Sequence, residues 1–296
     1  YKLLEAVTDV FHGFCQRAER MDIIGVSYGV RGVLSLAAFC LVFTLTKSLS
    51  LTLLVMTLLC YGFSAVYDIA FTKGFYLPAK RTQNGAWLLL LECLPLAAYV
   101  FLNTAAASAP KLTLERIMGT EMMGIYNLVN SPVLILQVGV AFLFTPFITT
   151  FANRLKNKDY SGFIKLSFYI TLGVFAVGAV GALGVLALGE WGLTLLYGGD
   201  IAAWSGLLLP LVVCTVFTSL TLFYCMLLTV VREMKGLILS TAVAIAVSLI
   251  VSAPLIRDFG LYGASYASII SLLAETLALA AFGLGKLNKM KRAETK

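Results

Sequence analysis

Long apolar runs separated by short polar breaks dominate the chain. Eight of them reach the ~20 residues that a membrane crossing takes: about 24–46, 49–71, 85–107, 123–148, 162–187, 203–229, 234–255 and 261–284. Backbone polar groups in lipid need partners within their own segment, so continuous runs of this kind predict helices. A membrane barrel would instead show ten-residue stretches of alternating polarity. The first apolar stretch, Tyr1 to Phe14, is too short to span, which predicts that the chain enters partway through a helix. Lys2, Glu5, Asp9 and His12 share one face of it. They form either the polar stripe of a shortened span or the wet face of an amphipathic surface helix.

Composition supports the membrane reading. Of 296 residues, 60% are hydrophobic and 12% charged, about half the charged share of a soluble domain. The expected class is an all-α, polytopic membrane helix bundle. A net charge of +7 raises nucleic acid as a partner. The basic residues are spread over short breaks and form no continuous patch, which argues against it. Their distribution instead orients the chain. Sixteen Lys and Arg fall in one alternate set of breaks and the tail; four, Lys47, Lys111, Arg116 and Arg257, fall in the other. The richer side is expected to be cytoplasmic, with the C-terminus inside, in the cytoplasmic membrane. Five of the six cysteines lie in apolar runs and none forms a C-x-x-C pair, so they read as small buried residues.

Polar residues inside the runs are the candidates for function, because each is costly in lipid. Arg31 either snorkels to the inner surface or lines a cavity. Glu92 and Asn103 are eleven positions apart and return to one helical face. Asn127, Asn130, Ser131 and Gln137 fall within a third of one helix circumference, and Ser268, Ser271 and Glu275 share a stripe. These groups make helix–helix hydrogen bonds or line a wet interior. His12, the single histidine, is a candidate for proton handling. The chain has no phosphate-binding G-x-x-x-x-G-K-[ST], no H-E-x-x-H and no cluster with metal-ligand spacing. No catalytic motif, metal site or cofactor is implied, and the expectation is a transporter rather than an enzyme.

Several stretches taken in order resemble a known family. Glu92 to Pro132 reads ECLPLAAYVFLNTAAASAPKLTLERIMGTEMMGIYNLVNSP, a helix end, a charged turn and a G-x-Y helix start. Residues 144–146 are FTP, and 189–211 are GEWGLTLLYGGDIAAWSGLLLPL. Residues 259–272, FGLYGASYASIISL, carry a G-x-x-G-A pattern at Gly260, Gly263 and Ala264, and residues 13–26 read GFCQRAERMDIIGV. In this order and spacing they resemble the polysaccharide flippases (Wzx-like oligosaccharide exporters), of the superfamily that includes the MATE exporters and lipid II flippases. The resemblance implies a MATE-like, two-lobe architecture with about half of the N-terminal lobe missing. Residues 1–80 would be the end of that lobe and 81–296 a six-helix C-terminal lobe. The charged stretch 108–122 would be an outer loop, as would 188–202, each about 15 residues long.

The function so implied is flipping of lipid-linked oligosaccharides across the membrane by alternating access, for cell-surface polysaccharide biosynthesis. The implied substrate is a glycan on a polyprenyl diphosphate. Arg31 would meet phosphate or an acidic sugar, and Asn103, Asn127, Asn130 and Gln137 would hydrogen-bond hydroxyls. Glu92 or Glu275 would bind a coupling cation or pair with Arg31. Membrane lipids, glycan polymerases and glycosyltransferases are the implied neighbours. Three rivals stand beside this reading. A MATE-like cation or drug exporter would favour acidic cavity residues. A membrane glycan polymerase or ligase would carry a large outer loop, which the chain lacks. A non-transporting scaffold of a glycan assembly complex would tolerate loss of its polar cavity.

Overall fold

The computed structural model describes residues 2–18, 20–72, 85–144 and 147–294. These are helical almost throughout, with no strand among them. Six helices are long and apolar enough to cross a membrane: Met21–Thr46, Leu49–Thr72, Tyr160–Tyr197, Ser205–Val230, Met234–Phe259 and Leu261–Arg292. The chain is an all-α polytopic membrane bundle. The other two expected spans, 85–107 and 123–148, fall on helices of 34 and 25 residues, Gly85–Met118 and Thr120–Phe144. The first is much longer than expected, and the described part of the second ends at Phe144. Of the FTP stretch, Thr145 and Pro146 lie outside the described residues.

Two compact units divide the chain, residues 1–85 and 86–296. The first is a three-helix bundle of α1 (Lys2–Arg17), α2 (Met21–Thr46) and α3 (Leu49–Thr72), each touching the other two. Its buried stripes are polar. Ser27 and Arg31 on α2 face Cys60, Ser64, Asp68 and Thr72, which lie at four-residue intervals on α3. Large apolar side chains point outward instead, among them Leu45 at 78% exposure and Val66 at 74%. This inversion is what lipid selects, because it offers no hydrophobic penalty to an outward leucine. Cys15 and Cys60 are buried in this unit, whereas Cys40, and Cys93 of the second unit, are exposed on helix surfaces. The expectation that the cysteines are buried is thus corrected for these two. A small thiol is tolerated on a lipid-facing surface.

The second unit contains α4 (Gly85–Met118), α5 (Thr120–Phe144), α6 (Ile148–Lys156), α7 (Tyr160–Tyr197), α8 (Gly199–Ala202), α9 (Leu208–Val230), α10 (Met234–Phe259) and α11 (Leu261–Glu294). Of these α9 is the most enclosed, packed by α5, α7, α10 and α11. Its residues Leu208, Leu211, Leu220, Phe223 and Leu228 anchor three apolar clusters. Asp159 caps α7, its carboxylate accepting from the Gly162 N–H at 2.9 Å, so an orphan donor of the first turn is satisfied.

Both expected outer loops are corrected by the structure. The stretch 108–122 is helical except at Gly119, where φ is +89°. One residue in the left-handed region separates the two helices, a conformation glycine adopts without steric cost. Glu121 sits in the first turn of α5, where the helix dipole favours an anion. In 188–202, α7 runs on to Tyr197 before a cap at Gly198 and the single turn of α8. Charged residues near a span end misled the boundary reading, because a helix that leaves the membrane need not stop there. The G-x-x-G-A pattern acquires a physical reason. Gly260, with φ +58°, ends α10, and a Cβ on Gly263 would collide with the Leu255 carbonyl. Only glycine lets α10 and α11 turn back on each other so closely.

Candidate functional site

The second unit encloses a cavity of about 230 Å³. Asn103 and Lys111 reach it from α4, and Asn130 and Gln137 from α5. From α9 come Thr215, Thr218 and Thr221, and from α11 Ser268, Ser271 and Glu275. Leu211, Leu222, Leu272 and Ala244 complete an amphiphilic wall.

The lining is held by local bonds that leave much of its amide capacity open. Hydroxyls of Thr218, Ser268 and Ser271 donate to carbonyls one turn back, at 2.8, 2.9 and 2.8 Å, as is common where lipid-embedded helices carry Ser and Thr. Thr221 and Thr276 join their hydroxyls at 3.0 Å between α9 and α11. Glu275 is 2% exposed, and its Oε1 accepts from Thr241 Oγ1 at 2.8 Å. The Asn103 amide donates to Tyr99 Oη at 3.2 Å. At the other side Ser265 donates to Tyr126 Oη at 3.3 Å. The rigid pieces are therefore the hydroxyls and tyrosines. Asn130, Gln137 and Lys111 are only part-buried and line the open space.

The expected site residues divide among different places. Asn103, Asn130, Gln137 and Glu275 meet in this one cavity. Asn127 does not line it. It is exposed, and its backbone carbonyl accepts from Ser131. A third of a helix circumference was too broad a criterion to tell the cavity face from its flank. Glu92 lies in α4, but its side chain is outside the described residues. Arg31 belongs to the first unit.

Arg31 does not snorkel. At 6% exposure its guanidinium packs on the rings of Tyr28 and Tyr61, 5.5 and 5.0 Å from their centres, and Nη2 donates to Tyr61 Oη at 3.5 Å. The same interior holds His12 and Asp68, with His12 Nε2 3.5 Å from Asp68 Oδ1 and 3.3 Å from Ser27 Oγ.

Sequence reasoning missed two of these groups. Lys111 was counted among outer-loop charges, yet α4 carries it onto the cavity face together with Asn103 and Ala107, at four-residue steps. Asp68 is not among the residues that the sequence singled out. Its i, i+4 register with Cys60, Ser64 and Thr72 marks a polar stripe and was the available signal.

Among curated proteins the chain is similar to the capsular polysaccharide biosynthesis protein CapF of Staphylococcus aureus, with 25% identity over 203 residues. The match covers 67% of this chain and 51% of that protein, so the chain spans about half the length of the relative. No protein-family model matches it, and no solved structure does.

Proposed function

We propose that this protein takes part in cell-surface polysaccharide biosynthesis as a flippase of lipid-linked oligosaccharides. The observation that carries the proposal is the cavity of the second unit. It is rich in hydroxyls and amides, enclosed by helices of membrane length, and among the described residues holds one cation, Lys111, and one acid, Glu275. Sugar hydroxyls are recognised by groups that both donate and accept, which Asn, Gln, Ser and Thr supply. Similarity to a capsular polysaccharide biosynthesis protein supports the same class of substrate.

In this reading Asn103, Asn130 and Gln137 bind glycan hydroxyls, and Lys111 meets phosphate or an acidic sugar. Arg31 is engaged by its two tyrosines and would have to leave them to meet an anion. The polyprenyl tail stays in lipid while the head group crosses by alternating access. The expected setting is the cytoplasmic membrane with the C-terminus inside, beside the glycosyltransferases and polymerase that make and use the substrate.

Cells lacking the native gene test the proposal. Restoring the gene from its own locus should restore surface glycan, and Asn130→Ala with Gln137→Ala should leave lipid-linked oligosaccharide accumulating on the inner leaflet. Normal surface glycan in that double variant would refute the site and favour a scaffold. Glu275 in the cavity is the one feature that favours a cation exporter. That reading predicts that loss of the gene sensitises cells to cationic drugs while surface glycan is unchanged.

A further inference from the structure

The first unit buries ionisable groups that glycan binding does not use. Asp68 is 1% exposed and His12 6%. Arg31 and Ser27 on α2 complete the set, so all three helices contribute. Several of the polar atoms are unsatisfied. His12 Nδ1, Arg31 Nε and Nη1, and both Asp68 carboxylate oxygens are buried without a hydrogen bond. A purely structural polar core would satisfy such atoms, and each exception calls for a reason.

The surrounding groups define the charge balance. On α1, Glu5, Asp9 and Cys15 lie on or near the same face, and Asp9 accepts from the Tyr28 hydroxyl at 3.2 Å. On α2 are Tyr28 and Arg31, while Asp22 is held by Arg20 at 2.8 Å outside the cluster. On α3 are Tyr61 and Asp68. Arginine keeps its proton in proteins. With His12 neutral, the buried charged groups of the first unit among the described residues are one cation, Arg31, and one anion, Asp68; a proton on the His12–Asp68 pair adds an unbalanced positive charge. Buried unbalanced charge is costly, so the proton and the packing of the three helices control each other.

We infer that His12 and Asp68 form a proton-binding site inside the first unit, with Arg31 as the fixed charge opposing occupancy. The proton comes from water and returns to it; no bond other than N–H or O–H is made or broken. This inference stands independently of the glycan reading, because its readout is the proton itself.

His12 is the only histidine in the chain, so its ring gives a single signal in isotope-labelled protein purified without a histidine tag and placed in lipid nanodiscs. In unmodified protein the ring and one aspartate carboxyl should titrate together. Asp68→Asn should lower the ratio of protonated to neutral ring at fixed pH about tenfold or more, and Arg31→Gln should raise it. Unchanged melting temperature identifies variants that remain folded. A ring that titrates with no aspartate following it, or a ratio unmoved by both folded variants, would overturn the inference. Coincident titration in the unmodified protein decides the matter even where a variant does not fold.

Discussion

The two units solve the same problem in opposite ways. Residues 1–85 bury arginine, aspartate, histidine and a ladder of Ser and Thr, and turn their leucines and valines outward. Residues 86–296 bury leucine, phenylalanine and valine around α9, and gather amides, hydroxyls and Glu275 at one cavity beside a few buried serines such as Ser219, Ser240 and Ser248. The first unit relies on a few polar contacts between helices, such as His12 with Ser27 and Asp68, Arg31 with Tyr61 and Tyr28 with Asp9, around atoms left unpaired. The second is held chiefly by apolar packing around α9, which leaves much of the amide capacity of its cavity open although Thr241 and Glu275, and Thr221 and Thr276, also join helices. A polar residue buried in the first unit is therefore coupled to stability. One lining the cavity of the second is available for a ligand.

Substitutions can break this contrast. The largest effect is expected at Asp68. Asp68→Ala removes the buried carboxylate that His12 faces at 3.5 Å and should cost about 3–5 kcal/mol, read as a lowered melting temperature in detergent. If the protein melts unchanged, polar contacts do not hold the first unit. Next comes Gly263→Ala, whose Cβ would meet the Leu255 carbonyl. Forcing α10 from α11 should cost about 1–3 kcal/mol and open that junction to proteolysis. Thr241→Val leaves Glu275 Oε1 without its donor and should cost about 1–3 kcal/mol, measured in the same melt. Smallest of all, Asn127→Ala should change stability by less than about 0.5 kcal/mol and leave export intact, because its side chain lies outside the cavity.

Most of the fold was legible because hydrophobic runs fix helices in lipid with little help from context. Six expected spans appear as helices of the required length and polarity. What escaped was local. The run from Ser108 to Met118 looked like a loop because it carries charge, yet the helix runs on through Pro110 and ends only before Gly119. The stripe of Ser268, Ser271 and Glu275 was readable from spacing alone and does face the cavity. The flank position of Asn127 was not, since spacing gives a face but not the width of the opening. Asp68 illustrates the remaining gap. Its partner His12 lies 56 positions earlier on another helix, and no periodicity within one helix can report a pairing between two.

The most direct test compares stability with flipping for one pair of cavity residues. The protein is reconstituted in vesicles that carry lipid-linked oligosaccharide, and appearance of glycan on the far leaflet is followed beside the melting temperature. For Asn130→Ala with Gln137→Ala, the account predicts a melt close to that of the unmodified protein and flipping reduced at least tenfold. Flipping at the unmodified rate, or a loss of flipping that only tracks a lowered melt, would contradict it.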